Sequence, residues 1–149
     1  MNESINLGKA LDIIFIISSI IFNILVSILY VVTKLGNMEL VQFVGIIILF
    51  LIVPFTITLI GYIQQKEEKK IIISLVIILF YFFVEILLDY ILKIPFREIL
   101  SIHIPYIIVF YIADFSMIGV TFDKNKKMGF VVLITFFLLL SCLIYRFVG

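Results

Sequence analysis

The sequence predicts an all-α integral membrane protein, a compact bundle of five transmembrane helices, and three observations carry that expectation. Hydrophobic residues make up 64% of the 149-residue chain and charged residues 14%, against about 45–50% and 25% in soluble domains. Mean hydropathy is +1.35. The apolar residues gather into five runs, each close to the roughly 20 residues that cross a 30 Å hydrocarbon core. The segments between the runs are short and polar, which leaves no room for an extramembrane domain with its own core.

The spans are expected at 11–33, 39–63, 71–93, 105–122 and 128–147. Isoleucine, valine and phenylalanine favour strands, but the need to satisfy every backbone group within lipid favours helices. The first run is too long for a signal peptide, whose apolar part is about 7–15 residues, and no A-x-A pattern follows it. Gly36-Asn37 is a turn signal before the second span. Pro54 frees a carbonyl in that span and is expected to kink it beside Thr56 and Thr58. The second loop reads QQKEEKK and the fourth DKNKK. The fourth span is the shortest and begins at Pro105; its failure to cross would reverse the last one. Short loops make sequential helices antiparallel neighbours.

Cations set the expected orientation. Lys9, Lys66, Lys69, Lys70, Lys124, Lys126 and Lys127 fall on one side, and Lys34, Lys93, Arg97 and Arg146 on the other. The positive-inside rule then places the N-terminus in the cytoplasm and the C-terminus outside a cell membrane crossed five times. The lysine clusters read as topology determinants and headgroup contacts, and aromatic residues near the span ends as an interfacial belt.

Polar groups at membrane depth are the candidate functional residues. Counted from the expected outer ends at 1.5 Å per residue, Asn23 lies about 15 Å deep, Glu85 about 12 Å and Asp114 about 14 Å. Three spans thus put a carboxylate or carboxamide at one level. In the third span Ser74, Tyr81, Glu85, Asp89 and Lys93 fall on one helical stripe. In the fourth, His103, Phe110, Asp114 and Thr121 share a side. Turning the two stripes together brings Glu85 to Asp114, and two carboxyls in a low-dielectric site are expected to share a proton or a bound cation.

A bilayer-centred acid opposes insertion by about 2.5–3.5 kcal/mol, while Leu, Ile, Phe and Val favour it by about 0.3–0.6 kcal/mol each. Seventeen such residues in the third span roughly offset Glu85 and Asp89. A proton, cation or ligand site at Glu85, Asp114, Asn23 and Asp89 follows from the usual role of intramembrane acids. The competing reading is inter-helix glue, worth about 0.6 kcal/mol per contact. Asp89 with Lys93 reads as an interfacial ion pair, and Asp12 as a complement to its helix dipole. A metal set of His103, Asp89 and Glu98 is a minor alternative, short of the imidazole and thiolate that transition metals prefer.

No cofactor is expected. A net charge of +1 supplies no field for nucleic acid, and Cys142 alone excludes an intrachain disulfide. There is no phosphate loop, G-x-S-x-G, H-E-x-x-H or internal inverted repeat. No family resemblance is carried by these residues: the small multidrug carriers share the size and a membrane glutamate, but have four spans with that glutamate in the first. Three functions are therefore ranked. First is a transporter or channel-like component with an intramembrane carboxylate proton or cation site, working as a homo-oligomer because five helices enclose little space. A structural or accessory membrane subunit comes second. A membrane enzyme acting on lipid comes last, for want of a nucleophile or metal set.

Overall fold

The computed structural model describes residues 2–92 and 99–147, and all regular structure in them is helical. In order these are α1 (Asn2–Leu35), α2 (Met38–Phe50), α3 (Ile52–Gln64), α4 (Lys69–Ile86), a π-helical turn (Leu87–Ile91), α5 (Leu100–Lys124) and α6 (Lys126–Phe147). Paired end to end, α2 with α3 and α4 with the π turn, they make five rods. Among the described residues these five are long and apolar enough to cross a membrane. At 21 to 28 residues the rods measure about 32–42 Å, enough for a 30 Å core. The chain is a multi-pass membrane protein by length and composition.

Local signals explain most of the boundaries. Gly36 ends α1 in the left-handed region at φ 79°, and the Asn37 side chain accepts from Leu40 N at 3.2 Å to start α2. Pro54 breaks the second rod. Its ring cannot coexist with the carbonyl four residues earlier in a straight helix, and the interruption falls at Leu51, whose N–H turns to Ile48 O at 3.0 Å. After α3, Lys66 adopts φ 56°, with Lys66 N donating to Ile63 O at 3.1 Å and Glu67 N to Tyr62 O at 3.0 Å. That is a Schellman cap with lysine in the glycine position.

The fourth span departs from expectation. Helix α5 begins at Leu100, five residues before Pro105, so the proline sits in the second turn and leaves only the Ser101 carbonyl without its helical donor. The span is 24 residues rather than the shortest of the five.

The rods close into a ring in which α1 neighbours α6 and the α2–α3 rod, α4 neighbours α3 and α5, and α5 neighbours α6. Helix α1 shows how membrane burial inverts the usual pattern. Ile13, Ile17, Ile21, Ile24 and Ile28 form its exposed stripe, while Ser18, Ser19, Asn23 and Ser27 are buried. The hydroxyls of Ser19 and Ser27 donate to backbone oxygens four residues back, at 3.0 and 2.7 Å, so neither asks for an inter-helix partner. Small side chains let backbones approach where lipid supplies no hydrophobic drive. At the core Phe22 packs on Phe82, Tyr81 and Phe110 at ring separations of 5.8, 5.9 and 5.9 Å. Phe55 extends the cluster to α3 at 5.9 Å from Phe82.

Gly61 sets the approach of α3 to α1, because a Cβ there would lie 2.5 Å from Leu11 Cδ1. Leu11 is itself buried, so its side chain must shift within a packed core. Gly61→Val should therefore destabilise the bundle by about 1–3 kcal/mol, measured as thermal unfolding in detergent; an unchanged midpoint would contradict the packing.

Candidate functional site

Two separate polar centres occupy the bundle. At the first, Asn23 of α1 lies between Asp114 of α5 and Thr135 of α6. The amide orientation that serves both neighbours has Nδ2 donating to Asp114 Oδ1 and Oδ2 at 3.0 and 2.9 Å and Oδ1 accepting from Thr135 Oγ1 at 2.9 Å. Asn23 and Asp114 are fully buried. One carboxamide thus spends both its ends, and each carboxylate oxygen receives a donor. Thr135 Oγ1 also donates to Val132 O at 2.6 Å, so its single proton is shared between that carbonyl and Asn23.

The second centre is a chamber of about 300 Å³ toward the opposite end from the lysine-rich loops. Glu85, the last α4 residue but one, reaches into it. Tyr106 of α5 donates a short hydrogen bond to Glu85 Oε2, and Tyr81, one turn before Glu85, donates to the same oxygen at 3.5 Å. The two phenol oxygens are 3.2 Å apart. Tyr30, Tyr111, Phe110, His103 and Arg146 share the walls with aliphatic Val26, Leu29, Ile48, Ile107 and Leu143. His103 stacks on Tyr106 with ring centroids 6.3 Å apart and 17° between planes. Arg146 lies over the Tyr30 ring at 5.9 Å. The floor is aromatic, formed where Phe110 and Tyr81 meet the central phenylalanines.

The expected meeting of Glu85 with Asp114 does not occur. Across α4 and α5, Tyr81 and Glu85 meet Tyr106, and Tyr81 packs on Phe110, whereas Asp114 turns to Asn23 of α1. Glu85 is level with Tyr106, eight residues and about 12 Å from Asp114 along α5. The error arose at the span ends. The third rod stops at Ile91 and α5 starts at Leu100, so Glu85 lies six residues inside its end and Asp114 fourteen. Asn23 and Asp114 do share a level; Glu85 does not.

The π turn begins two residues after Glu85. Leu92 N donates to Leu87 O at 2.9 Å, five residues back, and this wider turn breaks the four-residue stripe on which Asp89 was placed. Asp89 is half-buried on that turn. Lys93, Arg97 and Glu98 lie outside the described residues, and so do the Asp89–Lys93 pair and the His103–Asp89–Glu98 set. Among the described residues no three His, Cys, Asp or Glu side chains assemble as a metal site.

At the lysine-rich end the sequence reading needs correction. Asp12 lies ten residues into α1, beyond reach of the helix dipole's first turn. It accepts from Tyr62 OH at 2.6 Å and stands 3.8 Å from Lys124. Lys124 bonds Glu67 at 2.6 Å with its side chain only 13% exposed, so it is a tie between α5 and the α3–α4 loop rather than a headgroup contact. Tyr62, fully buried, is not part of a belt; Tyr90 and Tyr145, both exposed, fit that role.

Sequence reasoning missed Tyr106, Tyr30 and Arg146 as chamber residues and Thr135 as the third member of the buried centre. Tyr81 at four residues from Glu85 was the one available signal for a phenol partner. Comparison of the chain with protein-family models, curated proteins and solved structures finds no match.

Removing one partner of the Asn23–Asp114–Thr135 centre strands the others. Asn23→Leu should cost about 1–3 kcal/mol of stability, and the Asn23→Leu/Asp114→Leu double variant less than the sum of the two single changes. Unfolding titrations in mixed detergent micelles measure the cycle; strict additivity would show that the two side chains do not interact.

Proposed function

We propose that this chain is a small transport component of the cell membrane, with its N-terminus cytoplasmic, whose working group is the carboxylate of Glu85. The observation that supports this is the placement of Glu85 in a chamber between helices, clamped by Tyr81 and Tyr106. A carboxylate with two phenol donors can hold a proton or exchange the donors for a cation, and an ionisable group at membrane depth is costly to keep without such a use. The π turn beside it is a feature often found at functional positions. Phe110 and Tyr81 join the chamber lining to the central phenylalanines. Five rods enclose little space for a pathway, so a homo-oligomer remains part of the proposal.

The second reading, a purely structural role, is favoured for Asp114 alone. Its oxygens are both engaged by Asn23 and it does not line the chamber. The site is therefore narrowed to Glu85.

Reconstitution in liposomes with an imposed pH or cation gradient and an internal fluorescent reporter tests the assignment. Glu85→Gln should abolish flux with helical content retained, whereas Asp114→Asn should lower thermal stability and leave flux in place. Undiminished flux in Glu85→Gln would sink the proposal.

A further inference from the structure

We propose that a second copy of this chain seats its α5 in the groove between α4 and α5 at the lysine-rich end, giving a two-fold dimer. The inference rests on the homo-oligomer of the transport reading and names its contact surface.

Gly119 is the first observation. Among the described glycines within helices, Gly61 and Gly129 each have a neighbour 2.5 Å from where a Cβ would lie, and Gly8 and Gly45 face side chains at 3.0 and 3.6 Å; Gly119 has nothing within 4 Å. It is exposed. Glycine costs a helix about 1 kcal/mol against alanine, and no contact within this chain asks for one at 119. In membrane helices a small residue serves the close approach of another backbone. Ile108, Ile112, Phe115 and Gly119 form one exposed line at spacings of four, three and four, the repeat by which two helices cross at about 20°. The exposed stripe of α1 is isoleucine throughout and has no such gap.

Charge is the second. A groove of about 460 Å³ is lined by Ser74 of α4 and by Ser116 and Gly119 of α5, with Lys70 and Asp123 also on its walls. Lys70 is in the first turn of α4 and Asp123 in the last turn of α5, so the two charges share one end of the groove. They stand 3.5 Å apart with both side chains exposed, a pairing worth little within one copy. A two-fold axis along the membrane normal keeps every residue at its own level. An α5 seated in the groove therefore carries its Asp123 to the partner's Lys70, and the symmetry repeats the contact in reverse. The surface is complementary to itself. A phospholipid phosphate on Lys70 would stand beside the Asp123 carboxylate, a like charge, and is the poorer occupant.

The test follows energy transfer between donor- and acceptor-tagged full chains in liposomes as the protein-to-lipid ratio is varied. Wild type should dimerise. Gly119→Leu should weaken dimerisation at least about tenfold, with no loss of thermal stability at monomeric dilution, because the space at Gly119 is open within one copy. Lys70→Glu and Asp123→Lys should each weaken it by about twofold to fivefold. Mixing these two variants should restore it, since each copy then offers the charge that the other lacks. A pairing confined to one copy would give the mixture no advantage. Wild type that stays monomeric would overturn the proposal, whether an acyl chain or nothing fills the groove. So would a dimer indifferent to Gly119→Leu, or a mixture no tighter than its components. Flux lost in Glu85→Gln beside any of these results would leave Glu85 as the working group and remove only the interface.

Discussion

Asn23 pins three helices with one side chain. Within hydrocarbon an isoleucine is nearly as well placed against a lipid tail as against a neighbouring helix, so apolar packing fixes rotation and register only weakly. A carboxamide has no such indifference. With Asp114 on one side and Thr135 on the other, sliding α1 by a turn, about 5.4 Å, breaks both contacts. It also leaves a carboxyl group in hydrocarbon, which costs about 2.5–3.5 kcal/mol at the bilayer centre. Each bond alone is worth only about 0.6 kcal/mol. The arrangement is therefore held by the penalty on its alternatives more than by the strength of what is made.

The remaining architecture follows from that constraint. With α5 fixed through Asp114, Tyr106 is carried two turns toward the Arg146 end and becomes the residue that faces Glu85. With α1 fixed through Asn23, its isoleucine stripe points outward and Phe22 is delivered to the centre, where Phe55, Phe82 and Phe110 meet it. The aromatic cluster then separates the chamber from the lysine-rich end. There, Asp12, Tyr62, Glu67 and Lys124 tie the first, second and fourth rods together. Polar contacts thus fix the middle and one end of the bundle, and the chamber occupies the other.

Composition and run length were enough to read five apolar rods, and turn chemistry was enough for the joint at Gly36-Asn37 and the break ahead of Pro54. The inward polar stripes of α4 and α5 were legible too, since period alone places Tyr81 with Glu85 and Phe110 with Asp114. Register was not. It depends on where a helix begins in relation to its neighbour, and nothing local marks Leu100 as the start of α5 while Pro105 advertises a boundary. A five-residue error at one end is enough to move a side chain two turns past its partner once the other rod is also shortened. Tyrosine roles were hidden for a different reason. A phenol near a span end suits an interface and a buried acid equally, and only the fold decides between Tyr145, which is exposed, and Tyr62, which is not.

Glu85 and Asp114 differ in what surrounds them as well as in level, and the difference extends to their helices. Asp114 belongs to the trio α1, α5 and α6, whose described spans run as uninterrupted α-helix. Glu85 belongs to the other side. Its rod changes to a π turn within two residues, and the adjacent rod breaks at Leu51, one turn from the chamber residue Ile48. A π turn and a proline break are both places where the backbone gives up regular hydrogen bonding, so a change in their geometry sacrifices less than the same change in α5. The bundle is consequently divided into a continuous half that keeps register through the Asn23–Asp114 contact and an interrupted half that carries the chamber's carboxylate. A site that must exchange what it holds is better built against the second, with the first as its fixed wall.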